Sequence, residues 1–210
     1  MEILLIRHGQ SNGNKTNMVQ GTMDQGLSDL GREQAKKLAT YFNKNDISAI
    51  YASNLGRAIQ TAEPSAQKLS LEIKTDADLQ EAAFGIWEGL TYDEVKEKYP
   101  TEYSAWHKNY YARPPWFESF ELHQTRIRKA IENILKNHSI ADKVAVFTHG
   151  GSIKTQIGYF LKLTGEDLAQ FTIKNGSLTL LKFNPTTNYE HGELVFYNKD
   201  VINLIPQQKS

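Results

Sequence analysis

The 210-residue chain contains no cysteine. That excludes disulfides, thiolate nucleophiles and cysteine-ligated zinc, and it agrees with a reducing compartment. A surplus of charge is also missing, since Lys plus Arg and Asp plus Glu each total 24. No overall field therefore favours DNA, RNA or an anionic membrane surface, and any cations that matter must be gathered locally. No segment approaches the roughly 18 apolar residues that a membrane span requires. The opening Met-Glu-Ile-Leu-Leu-Ile-Arg has neither the basic leader nor the apolar run of a signal peptide. Internal repeats are absent, and only residues 206–210 read as disordered. These absences lead us to expect a cytoplasmic protein, monomer or homodimer, with no nucleic-acid or membrane partner. With 40% hydrophobic and 23% charged residues, a chain of this size has enough core for one domain over residues 1–210, burying roughly 70% of its unfolded surface.

What the chain does have is a recurring junction. Residues 3–13 read Ile-Leu-Leu-Ile-Arg-His-Gly-Gln-Ser-Asn-Gly, an apolar run halted by Arg7, His8 and Gly9. Such a run, bounded by glycine, reads as a buried strand, so Arg7 and His8 stand where a strand gives way to a loop. In an open α/β sheet that is where ligands bind. Residues 144–148 repeat the pattern, ending in Thr148, His149, Gly150 and Gly151. A further arginine, Arg57, follows the strand-like residues 47–52. It falls in or near the first turn of a helix over residues 58–69, where the dipole favours anions. Ser53 or Asn54 can cap that helix, and Pro64 within it marks a kink or a break. Parallel strands joined by right-handed crossovers bring their carboxyl ends to one edge. Arg7, His8, Arg57 and His149 then converge, and that set calls for a multiply charged anion. Phosphate is the simplest, because its oxygens match the guanidinium fork.

The remaining segments supply scaffold and one ambiguous stretch. Residues 14–26 read as a polar loop lying over the first strand end. Ser28 opens a helix whose apolar stripe is Leu30, Ala35, Leu38, Ala39 and Phe42, and residues 71–75 form another strand. Residues 79–89 combine Glu81 and Glu88 with Phe84, Trp87 and two glycines. Either glutamate is a candidate for a partly buried carboxylate able to act as an acid. The aromatic residues 92–111, closed by Pro114 and Pro115, form either a lid over a ligand site or a satellite core. Ser119 caps a long helix with Phe120, Leu122, Ile127, Ala130, Ile131, Ile134 and Leu135 on or near one face. Ser152 opens a helix over residues 153–161. Residues 176–183 and 193–197 are two further strands, joined by a turn around Pro185 and Asn188 and set antiparallel to the rest. His191 is solvated in that turn, and His107, His123 and His138 have no comparable setting.

With these motifs in order, the chain resembles the histidine phosphatase superfamily, which also holds the cofactor-dependent phosphoglycerate mutases. Within it the pattern is that of the broad-specificity and alpha-ribazole-type phosphatases. Arg7, His8 and Gly9 match the signature, and Asn14, Gln20, Gly21, Asp24, Leu27 and Gly31 match the loop and helix start that follow. Ser53, Leu55, Arg57, Ala58, Gln60, Thr61 and Ala62 match the second-arginine motif. Glu81, Phe84, Gly85, Trp87, Glu88 and Gly89 match the acid motif, and His149, Gly150 and Gly151 the second histidine motif.

The resemblance implies a three-layer α/β/α sandwich around a mostly parallel, mixed six-stranded sheet, with residues 90–120 as a small helical lid insertion. It implies that His8 attacks phosphorus and becomes phosphohistidine, while Arg7, Arg57 and His149 hold the phosphoryl oxygens. Glu81 protonates the leaving group and then activates water. Asn14, Gln20 and Gly150 contact a small phosphorylated metabolite, and neither metal nor cofactor is required. Departures separate hydrolase from mutase. Ala82 and Ala83 stand where those mutases carry Arg-His, Gly13 replaces a tryptophan, and Gly151 replaces an asparagine. All three favour a phosphatase, whereas Gln10, often glutamate in phosphatase relatives, points the other way. Trp116 and Phe117 replace two glycines and suggest a more aromatic lid, favouring esters with an apolar leaving group. A phosphoglycerate mutase or sugar bisphosphatase is the alternative, and a non-catalytic phospholigand-binding module the third reading.

Overall fold

The computed structural model describes residues 1–183 and 192–202. The turn around Pro185 and Asn188, His191 and residues 206–210 lie outside them. Six strands form one sheet: β1 (Glu2–Arg7), β2 (Ala49–Ser53), β3 (Ile73–Asp76), β4 (Lys143–Thr148), β5 (Leu178–Phe183) and β6 (Gly192–Lys199), in the order β3-β2-β4-β1-β5-β6. β1 to β4 are parallel to one another. β5 pairs antiparallel with β1, and β6 antiparallel with β5. β5 therefore opposes the parallel strands as expected, whereas β6 runs in the direction of β1, which corrects the expectation for that strand.

Because side chains alternate along a strand, β1 feeds two cores. Ile3 and Leu5 join Val144, Val146 and Leu181 under the helices α6 (Phe120–Lys136) and α7 (Gly150–Leu161), through Ile127, Ile131, Ile153 and Ile157. Leu4 and Ile6 face the other way with Ile50, Ala145 and Phe147, beneath Leu38 of α2 (Asp29–Tyr41) and Ala62, Ala66 and Leu69 of α3 (Gly56–Leu69). This is the three-layer sandwich. Two expected stripe residues fall off their faces: Leu30 is 54% and Leu122 65% exposed. The buried positions of α2 begin at Gly31, a step of about 100° from Leu30. In α6 the inward position beside Leu122 belongs to His123.

Local chemistry explains other differences. The loop expected over residues 14–26 opens with a short helix, α1 (Asn12–Lys15), closed by a capping box between Ser11 and Asn14. Neither Ser53 nor Asn54 caps α3; its N-cap is Leu55, which offers no side-chain acceptor. The carboxylate of Asp24 takes over, accepting from the amides of Gly56 and Arg57. α3 also runs unbroken through Pro64. The proline costs about 3 kcal/mol, and the buried face of Ala58, Ala62, Ala66 and Leu69 outweighs it. α7 starts at Gly150 rather than after Ser152, which is buried in its first turn and donates to the Gln80 carbonyl at 2.8 Å. The helix α8 (Gly165–Gln170) has no counterpart in the sequence reading.

Residues 85–117 build a satellite core. A 3-10 turn (Gly85–Trp87), α4 (Tyr92–Lys98) and α5 (Pro100–Lys108) gather Phe84, Trp87, Val95 and Phe117, with Tyr99, Tyr103, Trp106 and Trp116 against them. Phe117 stacks edge-on to Phe84 and Trp87, with centroids 4.7 and 4.8 Å apart.

Candidate active site

The register of the central strands assembles the site. Arg7 pairs with Thr148, so His8 and His149 leave neighbouring parallel strands at one level, with ring centroids 5.2 Å apart. Ala52 lies opposite Phe147, which brings the Ser53 hydroxyl within 2.8 Å of His149 Nε2. Arg57 sits in the first turn of α3, held by the loop that precedes α2: Nη1 donates to the Met23 carbonyl at 2.6 Å and Nη2 to the Gly21 carbonyl at 2.7 Å. Arg7 Nη1 donates to the Ile173 carbonyl.

His8 is buried, and Nδ1 lies 2.7 Å from the Gly9 carbonyl. A carbonyl only accepts, so Nδ1 carries the proton and Nε2 keeps its lone pair. Burial first, then the charges of Arg57 and Arg7, hold the His8 pKa well below the ordinary histidine value. Burial, Arg57, His8 and Arg7 act likewise on His149. Both rings are neutral at pH 7. The Nε–H of Arg7, the Nε–H of Arg57 and Nδ1 of His149 are all buried without a protein partner. Buried polar atoms are nearly always paired, so this cluster suits a ligand rich in acceptor oxygens.

Of the two candidate glutamates, Glu81 faces the site. Its Oε2 accepts from the Gly151 amide at 2.9 Å and its Oε1 from its neighbour Ala82 at 3.0 Å. Glu88 instead ties two loops together, accepting from the amides of Thr22 at 3.1 Å and Phe84 at 2.8 Å. Arg126 of α6 pins the Glu81 loop, donating to the carbonyls of Asp78, Gln80 and Glu81 at 3.0, 2.7 and 2.8 Å while paired with Glu118 at 2.7 Å.

A cavity of about 350 Å³ takes in Arg7, His8, Asn14, Gln20, Arg57, Glu81 and Gly150. The expected residues are thus brought together, with His149 packed against His8. Asn14 and Gln20 are anchored: Asn175 donates to Asn14 Oδ1 at 3.0 Å, and the Ser11 hydroxyl to Gln20 Oε1 at 2.6 Å. Trp116 and Phe117 do not line the cavity, because they are taken up by the satellite core. Its aromatic wall is Phe84, Tyr92, Trp106, Tyr110 and Phe171. Lys154 also lines it, and burial, opposed by Glu81, lowers its pKa to about 8. The sequence reading passed over Lys154, although it lies three residues beyond Gly151 on a helix and so on the same face. Among the described residues no group of three or more His, Asp or Glu side chains is placed to hold a metal ion, and no helix is long and apolar enough to cross a membrane.

Fold and site together define an α/β protein with an arginine- and histidine-lined anion cavity at the carboxyl edge of its parallel strands. Residues 3–195 match the histidine phosphatase superfamily (branch 1), and the chain belongs to that family. It is 36% identical over 158 residues to phosphoglycerate mutase-like protein 4 of Arabidopsis thaliana, covering 73% of this chain and 68% of the relative. It is 34% identical to the metal-independent phosphoserine phosphatase of the same plant, covering 78% and 68% respectively. The chain spans about half the length of Mycobacterium relatives that it matches at 32% identity over 182 residues, including the bifunctional protein Rv2228c of Mycobacterium tuberculosis. Among solved structures, mycobacterial glucosyl-3-phosphoglycerate phosphatase in complex with VO3 superposes with a TM-score of 0.87 at 28% identity, over 95% of this chain and 99% of that one.

Proposed function

We propose that the chain is a metal-independent phosphomonoesterase that works through a phosphohistidine on His8 and acts on a small phosphorylated metabolite in the cytoplasm. The observation that carries this reading is the unprotonated Nε2 of His8 set among the unpaired Nε–H groups of Arg7 and Arg57 and the unpaired Nδ1 of His149. His8 Nε2 attacks phosphorus, and the ester P–O bond breaks on the opposite side. Arg7, Arg57 and His149 hold the equatorial oxygens and stabilise their charge. Glu81, entering as the acid, gives its proton to the departing alkoxide. As a carboxylate it then takes a proton from the water that attacks the phosphohistidine, which frees phosphate and restores both groups. Asn14, Gln20 and Gly150 line the cavity around the substrate. Residues 90–120 act as its lid within a single domain, the aromatic wall standing against the alcohol.

Relatives and solved structures named as phosphatases support hydrolysis. So do the departures from the mutase pattern. Ala82 is buried in the satellite core, and Gln10, the feature that pointed toward a mutase, is occupied by the Ser28 hydroxyl at 2.7 Å and does not line the cavity. The test is hydrolysis of p-nitrophenyl phosphate in excess chelator by the wild type and His8→Ala. We expect chelator-resistant turnover, lost in the variant, and phosphate trapped on the wild-type protein by acid quench. An inert wild type, or one that needs added metal, overturns the proposal.

A further inference from the structure

The cavity has more cationic and donor capacity than one phosphoryl group uses. Arg7, Arg57 and His149 surround His8, while a second set stands on the Glu81 side. A Cβ at Gly150 would lie 3.4 Å from Arg7 Nε, whereas one at Gly151 would lie 2.7 Å from the Tyr110 hydroxyl and 3.0 Å from Glu81 Cδ. The first turn of α7 thus passes from the phosphate clamp to the proposed acid. Lys154 stands one turn further along the face of Gly151. Its Nζ lies 5.4 Å from the Tyr110 ring centroid and makes no hydrogen bond or ion pair with the described residues. Trp106 Nε1 is buried without a hydrogen-bond partner, and the Tyr110 hydroxyl, on a side chain only 5% exposed, has no hydrogen bond of normal geometry, with Thr155 and Arg113 beside it. Both side chains line the cavity, with their rings 6.4 Å apart.

We propose that Lys154, Tyr110 and Trp106 form a second anion subsite, which selects phosphate monoesters whose alcohol carries a carboxylate. The inference rests on the reading of His8 as the phosphoryl acceptor, because that reading places the alcohol on the Glu81 side. One ammonium and two neutral donors match a group of single charge with two oxygens. A second phosphate dianion fits poorly because, of the cations that line the cavity, Arg7 and Arg57 are engaged by the phosphoryl group, which leaves Lys154 to balance a single charge. Burial weakens the free ammonium, holding its pKa to about 8, and a bound carboxylate offsets that cost.

The test compares 3-phosphoglycerate with glycerol 3-phosphate, which carries a hydroxymethyl group in place of the carboxylate. Each is assayed as a competitor of p-nitrophenyl phosphate at pH 7. A charge-assisted contact worth about 1.5–3 kcal/mol makes 3-phosphoglycerate the stronger inhibitor by roughly 10- to 100-fold. We expect Lys154→Met to bring the two inhibition constants within about threefold of each other, Lys154→Arg to retain most of the preference, and Tyr110→Phe to lose part of it. Equal inhibition of the wild type by both esters, or an equal loss for both in Lys154→Met, overturns the subsite. A wild type that hydrolyses p-nitrophenyl phosphate without this preference refutes only the subsite; one that does not hydrolyse it refutes the parent reading.

Discussion

Gly151→Ala tests the proton-transfer role proposed for Glu81. The glycine lies within the first turn of α7, and its left-handed freedom is not in use, so alanine suits the backbone and improves helix propensity by about 1 kcal/mol. The obstacle is on the other side. The new methyl would meet Glu81 Oε1, with Glu81 Cδ at 3.0 Å and the Tyr110 hydroxyl at 2.7 Å. Ordinary carbon contacts lie at about 3.5–4.0 Å, so the carboxyl must retreat by roughly 0.5–1 Å. That also strains its 2.9 Å bond from the residue 151 amide. A displacement of this size costs about 100-fold where geometry is decisive, but only in steps that need the proton. Alkyl phosphates, whose alkoxides leave poorly, should lose about 100-fold in kcat/KM, and p-nitrophenyl phosphate, whose phenolate leaves readily, less than about tenfold by the same reasoning. The assay is a leaving-group series under single-turnover conditions, with thermal melting as the folding control. A loss that is uniform across the series refutes the assignment of Glu81 as the acid, as does no loss at all with the fold intact.

Two further perturbations follow from the same geometry. Arg126→Met removes the partner of the partly buried Glu118 and three carbonyl contacts that hold the Glu81 loop. It should cost about 3 kcal/mol, a fall in Tm of roughly 6–12 °C, and an unchanged Tm would show that the loop is held elsewhere. Acid should destabilise the fold early, because His8, His123 and His149 are buried with pKa values well below the ordinary histidine range. The unfolded chain takes up these protons below about pH 6.5 and the native state does not, so stability is full above 6.5 and falls as pH drops. Each histidine removes about 1.4 kcal/mol per pH unit. Melting at pH 5, 6, 7 and 8 reads this directly: a flat profile refutes it, and His123→Gln should lessen the slope by about a third.

How far the site was legible depended on what each residue has next to it in the chain. Arg7, His8 and His149 were legible because a buried strand stops at each of them, and the register that brings them together follows from parallel pairing. Arg57 was legible from its place at a helix start, although the residue that completes that start, Asp24, comes from a distant loop. Glu81 and Glu88 share one motif and one composition, so local pattern could not divide them. The division is made by the Gly151 amide, 70 residues away in the chain. Trp116 and Phe117 misled because aromatic character says that a side chain will be buried but not against what. The proposed phosphate clamp thus lies at strand ends, where the sequence pattern marks it. The groups that would choose the substrate lie mid-helix or in the aromatic insertion, and there Lys154 looks like any solvated lysine until the fold removes its solvent. Substrate preference in this protein is therefore the property most exposed to change by single substitutions that leave the chemistry untouched.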